Sequence, residues 1–186
     1  MLKKILPTSI LLFLVLPILF AQQKCDWIGT NKAVNPFSYT QIKAGTFKNG
    51  AISSAHPLAS MVGAEIMKRG GNAFDAAIAT QLVLAVVYPG AGNIGGGGFL
   101  VARKKEGKLI GIDYRETAPS NANKDMYLDK DGKAQTNLSQ NGHLAAGVPG
   151  TIAGLFATLP HAKLSFKIII QPAIDIAEYG FVITEN

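Results

Sequence analysis

The stretch that decides the fold is Pro89-Gly90-Ala91-Gly92-Asn93-Ile94-Gly95-Gly96-Gly97-Gly98-Phe99. Upstream of it lies the apolar, alanine-rich run Ala73 to Val87, which Pro89 stops; downstream the strand-like run Phe99-Leu100-Val101-Ala102-Arg103 begins. Residues 90–95 match G-x-G-x-x-G, and Asp113 follows Gly95 by eighteen residues, near where a dinucleotide-binding fold keeps its ribose-binding acid. The order of elements argues against that reading. The fingerprint works as the turn from a strand into a helix, because the pyrophosphate sits on the helix N-terminus. Here a helix precedes the glycines and a strand follows, and Gly96, Gly97 and Gly98 would weaken the first turn of any helix placed there. Four consecutive glycines instead imply a backbone held at positive φ or one that something approaches too closely for a Cβ, either a neighbouring element or a ligand.

Working upstream, Pro57, Leu58, Met61, Val62, Ile66 and Met67 carry apolar residues near helical spacing up to Gly70-Gly71, which predicts a helix over about 57–69. His56 then reads as the residue that starts this helix rather than as a base. Asn72 is suited to cap a second helix over 73–87, with Asp75 three positions on favouring its N-terminus. That helix is apolar on nearly every side, so it must lie buried between other layers.

Downstream, Phe99–Arg103 and Leu109–Tyr114 flank the charged turn Lys104-Lys105-Glu106-Gly107-Lys108, a β-hairpin signal with a solvated basic tip. Residues 116–143 are polar and turn-rich, and an Asp129–Gly132 turn follows Met126-Tyr127-Leu128; they read as surface loop with a short extended piece. Third and fourth helices are expected at Pro149–Leu159 and Gln171–Tyr179, with Pro172 tolerated in the first turn of the fourth and Gly180 at its end. After Gly180 an apolar segment resumes, and Thr184 offers a cap for a helix that the remaining residues cannot form.

The 186 residues are 48% hydrophobic, 16% charged and 8% aromatic, which fits one globular domain and excludes a disordered chain. Lys3 and Lys4, the apolar run Ile10–Phe20 and the small residue Ala21 read as a signal peptide over residues 1–21. The run is eleven residues long and contains Pro17, short of the roughly 20 apolar residues of a membrane anchor. Gln22, Gln23 and Lys24 before Cys25 do not suit a lipoprotein signal. Residues 22–50 read as an extended leader, and residues 51–186 as the structured portion. Without Lys3 and Lys4 the net charge falls from +6 to +4, and the basic residues are scattered except at Arg103, Lys104, Lys105 and Lys108, so nucleic acid is not an expected partner. One cysteine excludes an internal disulfide and a thiolate zinc site, and His56, His143 and His161 have no metal-ligand spacing.

Among chemical motifs, G-x-S-x-G, S-x-x-K and a phosphate loop are all absent, and Asn137-Leu138-Ser139 is only a short glycosylation match. Arg115 stands out. It follows the second hairpin strand between Asp113 and Glu116, where it could pair with either acid or be oriented by them to grip a carboxylate through two parallel hydrogen bonds. Composition leaves both readings open.

Five blocks, taken in order, closely resemble the γ-glutamyltransferase (γ-glutamyltranspeptidase, glutathione hydrolase) family: Gly70–Ala77, Pro89–Phe99, Asp113–Pro119, Gly147–Gly154 and Gln171–Phe181. The resemblance implies an α+β fold, part of the four-layer αββα sandwich of N-terminal nucleophile hydrolases, made as a precursor that cleaves itself and exported to the periplasm or beyond. It implies covalent catalysis by a newly exposed threonine on the γ-glutamyl amide of glutathione and related compounds, with transfer to water or an amino acid or peptide acceptor and no cofactor. By its position in the motif, Arg115 matches the family arginine that holds the α-carboxylate of the γ-glutamyl group. The Thr-Thr-His context of the family nucleophile is absent, since none of the ten threonines neighbours another. The chain is therefore expected to be the N-terminal portion of the large subunit, inactive alone and partnered by the rest of that subunit and the small subunit. The alternative is an inactive remnant or a polypeptide that acts only by binding.

Overall fold

The computed structural model describes residues 44–92 and 94–183; the signal peptide expected over 1–21, most of the leader expected over 22–50 and the cap expected at Thr184 lie outside the described residues. Residues 44–50 are exposed and hold no helix or strand. The first helix, α1, is Pro57–Lys68. His56 precedes it with an extended backbone, and its Nδ1 accepts the Leu58 N–H at 3.2 Å. Pro57 suits the first turn because its missing N–H would have no partner there. Gly70, at φ 95°, ends the helix: its N–H bonds the Met67 carbonyl while the Gly71 N–H reaches back to Ile66, a left-handed termination that favours glycine.

His56 is almost fully buried, with its ring edge-on to Phe181 at 6.3 Å. Burial disfavours its charged form and lowers its pKa below the ordinary imidazole value. The unfolded chain then binds more protons than the folded one in the window just below about pH 6.5, so stability is fully present above that value and declines as the pH falls toward the lowered pKa. Thermal melts are expected to show a lower Tm at pH 5 than at pH 7.5. In His56→Asn, which keeps a capping side chain without the titration, this difference should shrink; an equal pH dependence in both proteins would contradict the assignment.

Helix α2 is Ala73–Val87, capped reciprocally: Asn72 Oδ1 accepts the Phe74 and Asp75 N–H groups, and Asp75 accepts the Asn72 N–H at 2.7 Å. It packs on α1 through small side chains. A Cβ on Gly63 would lie 2.6 Å from Ile52 Cδ1 and would also overlap Thr80 Oγ1, and the buried Thr80 hydroxyl donates across the helix pair to the Ala59 carbonyl at 3.3 Å. The burial expected on all sides is incomplete. Ala77 is exposed, and the side bearing Ala77, Gln81 and Leu84 lines a hollow of about 580 Å³.

The glycines lead into an antiparallel hairpin of β1, Phe99–Arg103, and β2, Leu109–Asp113, in the register Phe99↔Asp113 to Arg103↔Leu109. Gly107, at φ 87°, turns its tip. A short helix α3, Thr136–Gln140, interrupts the region expected to be loop, while the Leu128↔Ala134 bridge closes the Asp129–Gly132 turn. Helix α4 is Thr151–Thr158, followed by a 3₁₀ turn over Leu159–His161.

Helix α5 departs furthest from expectation. It runs Phe166–Tyr179, starting five residues before Gln171, so Pro172 is interior rather than in the first turn. Tertiary packing overrides the local cost of proline and the β-branched run Ile168–Ile170. Ile169, Pro172, Ala173 and Ile176 are all buried on this helix. Ile169, Ala173 and Ile176 join Leu58, Val62, Ile66, Ile78, Val83 and Leu155 in one core beneath α1, α2, α4 and α5. Gly180, at φ 80°, ends α5 as expected. The fold is α+β, and no helix among the described residues is long and apolar enough to cross a membrane.

Candidate substrate-binding site

The glycine run is a seat for Tyr114-Arg115-Glu116. Gly98 and Tyr114 exchange backbone hydrogen bonds, at 3.0 and 3.3 Å, and so extend the hairpin past Asp113. A Cβ on Gly97 would come within 2.6 Å of the Tyr114 carbonyl oxygen and 2.8 Å of Arg115 Cα. Of the readings of these glycines, the close approach of a neighbouring element is the one present. The Gly96 carbonyl accepts the N–H groups of Gly150 and Thr151 at 2.9 and 3.0 Å, holding the start of α4 against the same segment.

Helix α4 closes the seat from the other side. A Cβ on Gly150 would overlap the Tyr114 carbonyl oxygen, and one on Gly154 would overlap the Tyr114 ring. The spacing of four places both glycines on one helix face, a sign of close approach that the expectation of a helix over Pro149–Leu159 did not use. Tyr114 is thereby pinned by its ring on Gly154, and its hydroxyl lies 3.4 Å from the Phe99 carbonyl and 3.5 Å from Gln81 Oε1 of α2. Beyond Arg115, Thr117 and Val148 exchange backbone hydrogen bonds, at 2.8 and 3.2 Å. The backbone on both sides of Arg115 is fixed.

The Arg115 side chain, by contrast, is exposed. Among the described residues the guanidinium makes no ion pair with Asp113 or Glu116 and lies instead over the Phe99 ring, 5.9 Å from its centroid. Asp113 turns inward to the chain: its Oδ1 accepts the Arg115 backbone N–H at 3.1 Å. Arg115 borders a hollow of about 330 Å³ with Asp113, Thr117, Pro149, Gly150 and Ala153. An exposed guanidinium with no ion pair among the described residues, on a rigid backbone at the rim of a hollow, is a fork of N–H donors suited to a carboxylate.

The fold and this seat belong to the α+β N-terminal nucleophile hydrolases. A family model described as gamma-glutamyltranspeptidase matches residues 59–186, and the chain belongs to that family. It is 47% identical over 140 residues to the glutathione hydrolase proenzyme of Pseudomonas sp. strain A14, covering 75% of this chain and 24% of that protein. With the glutathione hydrolase proenzyme of Escherichia coli K12 it shares 43% identity over 139 residues, covering 74% and 24%. The crystal structure of Helicobacter pylori gamma-glutamyltranspeptidase superposes with a TM-score of 0.72 at 48% identity, over 76% of this chain and 41% of that one. The chain thus spans about a quarter of the length of the curated relatives it matches.

Proposed function

We propose that this chain supplies the N-terminal part of the large subunit of a γ-glutamyltransferase/glutathione hydrolase, and that Arg115 binds the α-carboxylate of the γ-glutamyl donor. The observation that carries the role of Arg115 is its guanidinium, without an ion pair among the described residues, on a backbone held between two glycine-bearing segments. In the reaction, a threonine hydroxyl contributed by sequence outside these 186 residues adds to the γ-glutamyl carbonyl. The amide C–N bond breaks, the leaving amine takes up a proton, and the resulting ester passes its acyl group to water or to an amine. The share of Arg115 is positional: two parallel hydrogen bonds to the carboxylate fix where the scissile amide lies relative to the hydroxyl.

The same reading extends to processing and place. The basic, apolar and small residues of positions 3–21 support export to the periplasm or beyond, and the proenzyme names of the relatives support maturation by cleavage into large and small subunits. Glutathione and other γ-glutamyl compounds are the proposed substrates, without a cofactor.

The test is the complete enzyme read from the frame that contains these residues, assayed on a γ-glutamyl anilide. Hydrolysis is expected in the wild type, and Arg115→Lys, which keeps the charge but loses the fork, should lower kcat/KM about 30-fold, mostly through KM. Absence of γ-glutamyl hydrolysis in the intact enzyme would overturn the proposal.

A further inference from the structure

We infer that Phe99 is a positioning residue for donor binding: its ring holds the Arg115 guanidinium, which neither Asp113 nor Glu116 pairs with among the described residues. This rests on the carboxylate-binding reading of Arg115 and deepens it.

Phe99 and Asp113 are cross-strand partners at the end of the hairpin, so both side chains project from the same face, next to where Arg115 leaves the sheet. Glu116 follows Arg115 directly and Asp113 lies two residues before it, yet neither carboxylate pairs with the guanidinium among the described residues. Asp113 Oδ1 accepts the Arg115 backbone N–H, a local turn that brings the carboxylate to the backbone rather than to the guanidinium. The surface facing the guanidinium is then aromatic. An aromatic face attracts the cation through its quadrupole without using any N–H donor, whereas a carboxylate would occupy the donors that a substrate carboxylate needs. The arrangement narrows the rotamers of a long side chain while leaving its fork open.

Phe99 is 63% exposed in this chain and lies outside its core, and Phe99→Tyr, which keeps the ring, separates an effect on Arg115 from an effect on folding. In the complete enzyme, Phe99→Leu is expected to raise KM for a γ-glutamyl anilide about fivefold with kcat within twofold, consistent with an exposed cation–π contact. Phe99→Tyr should restore KM to within about twofold, since its ring keeps the same face. Independently of activity, the Arg115 side-chain protons should show an upfield ring-current shift by NMR that is lost in Phe99→Leu. If Arg115→Lys raises KM while Phe99→Leu leaves both KM and the proton shifts unchanged, the role of Phe99 is overturned and the carboxylate reading stands. An unchanged KM in Arg115→Lys overturns the carboxylate reading and, with it, this role.

Discussion

Asp75→Ala is expected to destabilise the folded chain by about 4 kcal/mol, measured by urea unfolding, although Asp75 touches no part of the candidate site. The carboxylate is completely buried at the start of α2. It accepts three backbone N–H groups: Asn72 at 2.7 Å, Leu164 at 2.8 Å, and Lys163 at 3.0 and 3.1 Å to its two oxygens. The first belongs to the α2 cap, and the other two belong to the segment that turns the chain into α5, 88 and 89 residues later. Alanine removes the acceptor for all three donors at once, and each hydrogen bond to a charged group contributes about 1.5–3 kcal/mol. Water admitted by the smaller side chain offsets part of the loss, which sets the expectation near 4 rather than at the full sum. Asn72 reinforces the same joint, donating from Nδ2 to the His161 carbonyl at 2.8 Å. Against a typical domain stability of about 5–15 kcal/mol the effect is large. A loss below about 1 kcal/mol would show that the two segments are held by apolar packing alone.

The second large effect is expected at Gly150. Its backbone, at φ −108°, is one that alanine adopts without strain, so Gly150→Ala isolates the steric term. The added Cβ meets backbone, not flexible side chain: besides overlapping the Tyr114 carbonyl oxygen, it would lie 2.7 Å from the Tyr114 carbonyl carbon and 2.9 Å from the Arg115 oxygen. Either α4 or the Arg115 segment must move. The expected cost is about 3 kcal/mol, at the upper end for overpacking because neither neighbour can rotate away. Gly111→Ala is the matched control. It sits in β2 with nothing within 4 Å of its added Cβ and should change stability by less than about 0.5 kcal/mol. Equal thermal melts for the two variants would contradict the seat.

These two positions also mark what the sequence can disclose. Asn72 and Asp75 were legible as a helix start because capping is local, and α2 was found with the bounds that pattern predicts. What Asp75 does at Lys163 and Leu164 was not legible, since nothing local links residues so far apart. The same bond helps explain why α5 begins early, with its β-branched residues and an interior Pro172. At the site, the glycine run disclosed a close approach but not the partner, because absent side chains record that space is missing and not what fills it. Arg115 came with two readings from composition, and what separates them is the placement of its guanidinium over Phe99, which follows from the hairpin register: among the described residues it pairs with neither Asp113 nor Glu116. Phe99 looked like an ordinary strand residue until the register set it beside Asp113.

The central claim is that Arg115 reads the α-carboxylate of the donor, and a substrate that lacks only that group tests it most directly. In the complete enzyme, kcat/KM of wild type and Arg115→Lys would be compared on γ-glutamyl 4-nitroanilide and on its 4-aminobutanoyl analogue, which has no α-carboxylate. A specific contact predicts a loss of about 30-fold on the first substrate and less than about twofold on the second, because only the first pair breaks an interaction. Equal losses on both substrates would show that the substitution disturbs the site in general and that Arg115 does not bind the carboxylate.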